Sequence, residues 1–291
     1  MEKNKPDVWS LTFDGRHNDR IFLNSLTEEV FQEVSSELVR QLTDEVIEDA
    51  IRRLSQPIYN ISSKWLERKL KDRRELMDEA SRSFYKNYAS HVEIVCRTKS
   101  EYVDINHVNN NDVDVKVFKR NEETGEKEGY PVYHRIFNKG ETKEVRLYLM
   151  GGDDKVVTSG RFNNHILVRI IGGSGDDEFY DQSDGKTFVY DTKLNTKILE
   201  NRRTVFKSGN IDSVINAHSY RPHYRNHGNL FIPWSFLYAD SEDGLVLGAG
   251  IQIKNYSFRK EPYANSLFFR TRYAFGTSAT QISFSGQKVC W

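Results

Sequence analysis

The spacing of hydrophobic positions changes period along the chain, and the change divides it. From residue 20 to residue 91 apolar side chains recur at helical spacing. Thr27 precedes Glu28 and Glu29, an N-cap followed by acids in the first turn, where the helix dipole favours negative charge. Val30, Phe31, Val34, Leu38, Val39 and Leu42 then mark one face. Thr43-Asp44-Glu45 opens a second helix carrying Val46, Ile47, Ala50, Ile51 and Leu54, and Gln56-Pro57 is expected to end it. Ser62 or Ser63 is expected to cap a third run through Trp65, Leu66, Lys69 and Leu70. A fourth carries Leu76, Met77, Ala80, Phe84 and Tyr88. No acid/base groups cluster on these apolar faces, so the segment reads as a helical packing module.

At His91 the period becomes two. Val92 to Val95, Tyr102 to Ile105 and Val113 to Val117 alternate as half-buried strands do. Asn121 to Gly129 reads as a hairpin-like loop, and strand pattern resumes over Pro131 to Phe137 and Glu144 to Leu149. Residues 145–199 hold an imperfect repeat. Val145 to Met150 leads into Gly151-Gly152-Asp153-Asp154 and then Val156-Val157. Ile166 to Ile171 leads into Gly172-Gly173-Ser174-Gly175-Asp176-Asp177 and then Phe179-Tyr180. The Gly-Gly pairs start at 151 and 172, a period of 21 (172 − 151), and Thr187 to Asp191 is a degenerate third strand. Strand, Gly/Asp turn and short strand at this period predict coils of a parallel β-solenoid, with both Gly-Gly-Asp turns on one edge. Residues 200–228 are irregular and basic-aromatic.

Alternation is strongest after Asn229. Leu245, Leu247, Ala249, Ile251 and Ile253 form an apolar row, with Val246, Gly248, Gly250, Gln252 and Lys254 between them. Leu267, Phe269, Thr271, Tyr273 and Phe275 form another, with Arg270 and Arg272 between. Each run has 10 residues, within the ~9–11 of a tilted transmembrane strand. Leu230, Ile232, Trp234, Phe236 and Tyr238 predict a strand before them, and Thr280, Ile282 and Phe284 one after. The expectation is that Leu245, Leu247, Ile251, Ile253, Leu267, Phe269, Tyr273 and Phe275 face outer-membrane lipid. Gln252, Lys254, Arg270 and Arg272 then face a lumen. The competing reading is a soluble antiparallel sheet with one wet face. Four strands cannot close a barrel, since the smallest bacterial ones have about eight. With a strand running almost to Trp291, a fragment or truncated reading frame is expected, whose partners are lipid and the rest of its own barrel.

Composition narrows the classes. The 291 residues hold 42 Lys+Arg and 42 Asp+Glu, and this zero net charge excludes a global basic field for nucleic acid. Mean hydropathy is −0.67 and no long apolar run predicts a transmembrane helix. The N-terminus MEKNKPDVWSLTF lacks the apolar core of a signal peptide. Cys96 and Cys290 make no metal or redox spacing, and a single bridge between them stays open.

Three clusters are candidate chemistry. Gly172, Gly173, Gly175 and Asp177 fit the nonapeptide G-G-x-G-x-D-x-U-x, in which glycines turn carbonyls inward and a carboxylate completes an oxygen shell for calcium. Asp177 is the side-chain ligand of that reading and Phe179 its core anchor, with Asp153 and Asp154 as weaker candidates. The alternative is a Gly/Asp turn held by its own hydrogen bonds, because calcium in such rolls sits between motifs nine residues apart. His218, His223 and His227 lie with Arg221 and Arg225, and His223 and His227 are four apart, as zinc on a helix would need; Pro222 and Gly228 oppose a helix. Asp14, His17 and Asp19 could form a catalytic loop, but nothing supplies a partner.

The order of LTDEVIEDAIRRL, IYNISSKWLERKLKDRRELM and FYKNYASHVEI, then EVRLYLMGGDDKVV and VRIIGGSGDDEFYD, then DGLVLGAGI and FRKEPYA, resembles a family of large cell-envelope proteins of Bacteroidetes-like bacteria. Their C-terminal half looks like a surface-antigen-type outer-membrane barrel of the assembly-factor superfamily. A calcineurin-like phosphoesterase domain often lies upstream. The resemblance covers roughly residues 20–275. The phosphoesterase's metal-ligand motifs are missing here, so hydrolase activity is not carried over. The implied protein is α+β and this chain non-catalytic. Residues 1–19 would be the tail of an upstream domain, 20–91 a helical module and 92–209 a periplasmic, solenoid-like connector. Residues 210–228 would be a linker and 229–291 part of the barrel. A calcium-stabilised soluble adhesion or secretion module and the remnant of an envelope metallophosphoesterase are the alternatives.

Overall fold

The computed structural model describes residues 7–163, 165–192, 196–208, 220 and 226–289. The fold is mixed α+β. The chain divides into two compact units, Met1–Tyr220 and Arg221–Trp291.

The first unit opens with α1 (Val8–Thr12), a 3₁₀ turn and α2 (Arg16–Phe22). This segment, expected as the tail of another domain, packs on α6 (Met77–Ala89) and β1 (His91–Val95) and buries Arg16 and Arg20. It therefore belongs to the helical part of the unit. α3 (Glu28–Gln41) and α4 (Asp44–Arg52) start where the N-cap pattern predicts, and Thr43 accepts the Val46 amide. Phe31 packs among Phe84, Tyr85 and Tyr88 with tilted rings. Val34 and Leu38 nevertheless stay exposed, because the small buried Ser35 faces α6 and donates to Asp78. Gln56-Pro57 begins a helix rather than ending one. α5 runs unbroken over Gln56–Glu75 with Pro57 in its first turn, where no intrahelical amide is lost, and Ser62 and Ser63 lie inside it.

After α6 the chain enters two sheets. The first has order β1-β5-β7-β9-β11, all parallel, from β5 (Glu144–Tyr148), β7 (Leu167–Ile171), β9 (Thr187–Asp191) and β11 (Val205–Ser208). The second has order β10-β8-β6-β2-β3-β4. Its strands β2 (Glu101–His107), β6 (Lys155–Ser159), β8 (Glu178–Asp181) and β10 (Lys197–Leu199) are parallel. β3 (Asp112–Arg120) and β4 (Lys127–Asn138) add an antiparallel hairpin. From β5 to β11 successive strands alternate between the two sheets. Identical positions therefore stack in rows: Ile94, Leu147, Ile170 and Val189 in one sheet, and Val103, Val156, Phe179 and Ile198 in the other. All but Ile198 are fully buried, and these rows are the core of the unit.

The repeat has a different step from the one its glycines imply. Val145 pairs with Val168, and Asp154 stacks on Asp177, 23 residues on. Gly151 therefore lies opposite Ser174, and Gly172-Gly173 falls level with Leu149-Met150. The row of branched side chains sets the register, not the Gly-Gly pair. Glu101 stacks on Asp154 at a step of 53. The additional 30 residues (53 − 23) accommodate the β3–β4 hairpin, which hides from the sequence that β1 and β2 pair in parallel with the strands of the repeat.

The second unit is an antiparallel sheet of order β12-β13-β14-β15, from β12 (Asn229–Asp240), β13 (Gly244–Asn255), β14 (Asn265–Ala274) and β15 (Ala279–Lys288).

Candidate functional site

The turns joining the two sheets of the first unit bring most of the predicted calcium residues together. Gly173 and Gly175 sit at φ 105° and 129°. A Cβ on them would meet the Met150 and Gly152 carbonyl oxygens at 2.5 and 2.0 Å. These glycines let one turn rest directly on the turn before it. Asp153 and Asp154 form the preceding turn, directly beneath. Asp153 accepts the Asp176 amide at 2.8 Å, and Asp177 accepts the Asp154 amide at 2.9 Å. Asp154 in turn accepts the Glu101 amide at 2.7 Å. Phe179 is buried in the core.

The result is a column of carboxyl groups, Glu101, Asp154 and Asp177, at 1%, 0% and 0% exposure. The second oxygens of Asp154 and Asp177 lack a hydrogen-bond donor, and Glu101 has only the Arg97 Nε ion pair at 3.4 Å. Burial raises all three carboxyls: Glu101 to about 7, Asp154 to about 10 with Asp177 adding to it, and Asp177 to about 8 with Asp191 adding to it. Asp177 also lines an open cavity of about 710 Å³ with Asp153, Asp176, Glu178, Arg120 and Lys197. Arg120 closes on Glu178 at 2.9 Å. Among the described residues no three His, Cys, Asp or Glu side chains converge as metal ligands would.

Glu101 and Asp191 escape a reading of the sequence. Glu101 has no glycine beside it and precedes the inserted hairpin. Asp191 ends an ordinary strand, yet its carboxyl and that of Asp177 both flank Gly172. Its second oxygen accepts from Thr196 at 2.8 Å.

On the first sheet, carboxylates are buried differently. Glu93, Arg146 and Arg169 stand in register on β1, β5 and β7. Arg146 bonds Glu93 at 3.0 Å and Glu144 at 2.5 Å, Arg169 bonds Glu144 at 2.8 Å, and the Tyr220 hydroxyl donates to Glu93 at 2.6 Å. Burial alone would raise Glu93, but Arg20 and Arg146 outweigh it and the carboxyl lies below its ordinary range. Glu144 behaves likewise under Arg146 and Arg169.

In the second unit, register assigns every residue to a face. Leu247 faces Tyr273, Ile251 faces Phe269 and Ile253 faces Leu267. Phe231 and Leu237 join this face from β12, and Ile282 and Phe284 from β15. The Phe275 amide reaches the Leu245 carbonyl at the end of the row. From Phe231 to Ala239 and across all four strands this face carries no charged residue. The next row is Asn229, Asn255, Asn265 and Lys288. Gln252, Lys254, Arg270 and Arg272 share the opposite face. Arg270 donates to Ser283 and Arg272 to Tyr238. The row Leu230 to Tyr238, whose alternation predicts β12, lies on this arginine face. The Phe236 ring sits over Gly248, where a Cβ would meet it at 2.1 Å.

The remaining candidates do not assemble a site. His17 is lowered by burial and by Arg16 and Arg20, and Asp19 is raised by burial. Neither has a catalytic partner among the described residues. His218, Arg221, His223, Arg225 and Cys290 lie outside the described residues. His227 meets its neighbour Asn226 at 2.8 Å.

No family model, curated protein or solved structure matches this chain.

Proposed function

We propose that the chain is a non-catalytic piece of a bacterial outer-membrane protein, a periplasmic connector leading into the first strands of a β-barrel, with an anchoring or export role. One observation carries this reading: the charge-free, exposed face shared by all four strands of the second unit, backed by a face that holds both arginines. From Phe231 to Ala239 that face runs about 27 Å along the strand, about 21 Å of height at a barrel tilt of about 40°, which covers most of an apolar band of about 25 Å. Strands of 10 and 12 residues are long enough to cross. Its partners are outer-membrane lipid on the apolar face and further strands of its own barrel at the sheet's open edges. The first unit fits a short β-solenoid, capped by helices at its first coil, as the periplasmic connector.

The test is purification of the 291-residue chain with and without detergent. The reading expects aggregation in buffer and a monodisperse species in micelles, because an open edge and an uncovered apolar face associate in water. A monodisperse soluble monomer in plain buffer would overturn it.

A further inference from the structure

The arginine face of the second unit is not uniformly polar. Its side chains fall into lanes. β12 contributes the rings of Trp234, Phe236 and Tyr238, β13 contributes Gly248 and Gly250, and β14 contributes Arg270 and Arg272. Phe236 pairs with Gly248 and Gly248 with Arg272, while Trp234 pairs with Gly250 and Gly250 with Arg270. Rings and guanidinium groups therefore rise from strands about 9.6 Å apart, on either side of a lane without side chains. The Phe236 ring leans into that lane. Its Cζ lies 2.1 Å and both Cε atoms 2.5 Å from where a Gly248 Cβ would be, the pattern of a ring lying flat over that point. Tyr238 lies within 22° of parallel to it, with ring centroids 5.9 Å apart.

Two adjoining cavities follow this lane. One of about 300 Å³ is lined by Phe236, Tyr238, Arg270, Arg272, Gln281 and Ser283. The next, of about 430 Å³, shares Phe236 and Arg270 and continues past Trp234 to Gln252 and Gln287. Arg270 donates Nε to Ser283 at 2.7 Å and Arg272 donates Nη1 to Tyr238 at 3.0 Å, so each keeps further N–H groups for a ligand. From Leu230 to Tyr238 and across all four strands the face holds Lys254, Arg270 and Arg272 and no acidic residue.

The two walls ask for different chemistry from one ligand. An apolar ligand would strip water from the guanidinium groups without replacing it. A small inorganic anion would leave Trp234 and Tyr238 as exposed as they are, at 52% and 39%. A sugar acid satisfies both walls. The C–H face of a pyranose carries slight positive charge and is attracted to the negative face of an aromatic ring. Its hydroxyls suit amide and hydroxyl side chains, and its carboxylate matches the guanidinium fork. A single-stranded nucleic acid is the nearest rival, but it calls for a basic track along its backbone, and here amide and hydroxyl groups outnumber the cations.

We propose that this groove binds an acidic oligosaccharide, with sugar rings against Trp234, Phe236 and Tyr238 and carboxylates on Arg270 and Arg272. The binding rests on the sheet alone; only its place in a barrel lumen, where the sugar chain would be cargo, rests on the outer-membrane reading. The experiment is calorimetric titration of the full chain with hexagalacturonate, in a detergent without a sugar headgroup, since an alkyl glycoside would compete. Binding should saturate and be tighter than that of the uncharged maltohexaose by about tenfold or more. The double variant Arg270→Gln, Arg272→Gln should lose this preference. The double variant Trp234→Leu, Tyr238→Leu should weaken both sugars by about tenfold. Saturation-transfer NMR on the unaltered chain does not depend on how the variants fold: irradiated aromatic protons should pass saturation to the sugar C–H protons. No saturable binding of hexagalacturonate, equal affinity for the two sugars, no transfer from aromatic protons, or tighter binding of an oligothymidylate of equal charge would each overturn the proposal. The two readings fail separately. A chain that is monodisperse in plain buffer overturns the membrane reading, and the same titration is then run in buffer. A chain that needs micelles and binds no hexagalacturonate overturns this inference alone.

Discussion

Leu147 and Leu247 occupy equivalent places in equivalent patterns, yet the first is 1% exposed and the second 51%. In the first unit each sheet offers its apolar row to the other sheet, and the rows through Leu147 and Val156 meet in one core. In the second unit the apolar row through Leu247 meets no second layer within its own sheet. Alternation of period two thus specifies a strand and a face, but not the medium that the face is buried against. Protein supplies that medium in the first unit. Our reading has lipid supply it in the second.

The largest contrast lies in the arginines. Arg146 is 1% exposed and holds Glu93 and Glu144, whereas Arg270 is exposed and bonds a serine. Arg146→Met should destabilise the first unit by about 3–5 kcal/mol, because Glu93 and Glu144 stay buried with the cation that bridges them removed, leaving only Arg20 and Arg169. Arg270→Gln should change stability by no more than about 0.5 kcal/mol. Denaturant melts in micelles, followed by amide exchange in each unit, separate the two. Equal effects would mean that the arginine face is as enclosed as the core.

Much of this contrast was legible, and the rest was hidden for identifiable reasons. Most strand positions between Val92 and Asp191 and after Asn229 follow from alternation, whereas β10 is not predicted, β11 lies in a stretch that reads as irregular and β4 begins inside the expected loop. The face that unites Leu247, Ile251, Phe269 and Tyr273 follows from parity alone. The stacking step did not follow. Glycines at 151 and 172 imply 21, but they only permit close approach, while the branched rows pair at 23 from Val145 to Val168 and at 19 from Val168 to Thr187. Glu101 was invisible because the inserted hairpin breaks the repeat before it recurs. Pro57 misled because its residue type does not distinguish the residue after a helix from the first turn of the next. The Glu93 network depends on pairings from β1 to β7 and on Tyr220, which no local window contains.

The leucines themselves give the next contrast. Leu147→Ala should cost about 2–5 kcal/mol, since its neighbours Ile94 and Ile170 are held in register and cannot close the cavity. Leu247→Ala in micelles should cost less than about 1 kcal/mol, because detergent or lipid refills the space at once. A cost at Leu247 as large as at Leu147 would mean that a rigid protein surface covers this face, and the difference in medium would be lost.

The last contrast lies within the second unit, between its two faces. Ile251 pairs with Phe269 and Pro233 near the middle of the strands, with Leu247 and Ile253 on the same face. If lipid covers that face, a charge there must be desolvated or must drag water inward. Ile251→Arg should then cost about 2–4 kcal/mol of folding stability in a bilayer, falling towards about 0–1 kcal/mol for the same substitution near the interface. Leu245, towards the end of its strand, gives the interfacial comparison through Leu245→Arg. On the opposite face Arg272 already carries a charge, shared with the Tyr238 hydroxyl at 3.0 Å. A polar replacement there should leave folding unchanged. The measurement is reversible unfolding of the chain reconstituted in vesicles for the three variants side by side. A protein layer over the apolar face would make Ile251→Arg and Leu245→Arg similarly costly, because burial against protein follows local packing rather than membrane depth. A cost that declines from Ile251 to Leu245 and vanishes at Arg272 is the signature of a bilayer, and depth dependence is the property that no soluble partner reproduces.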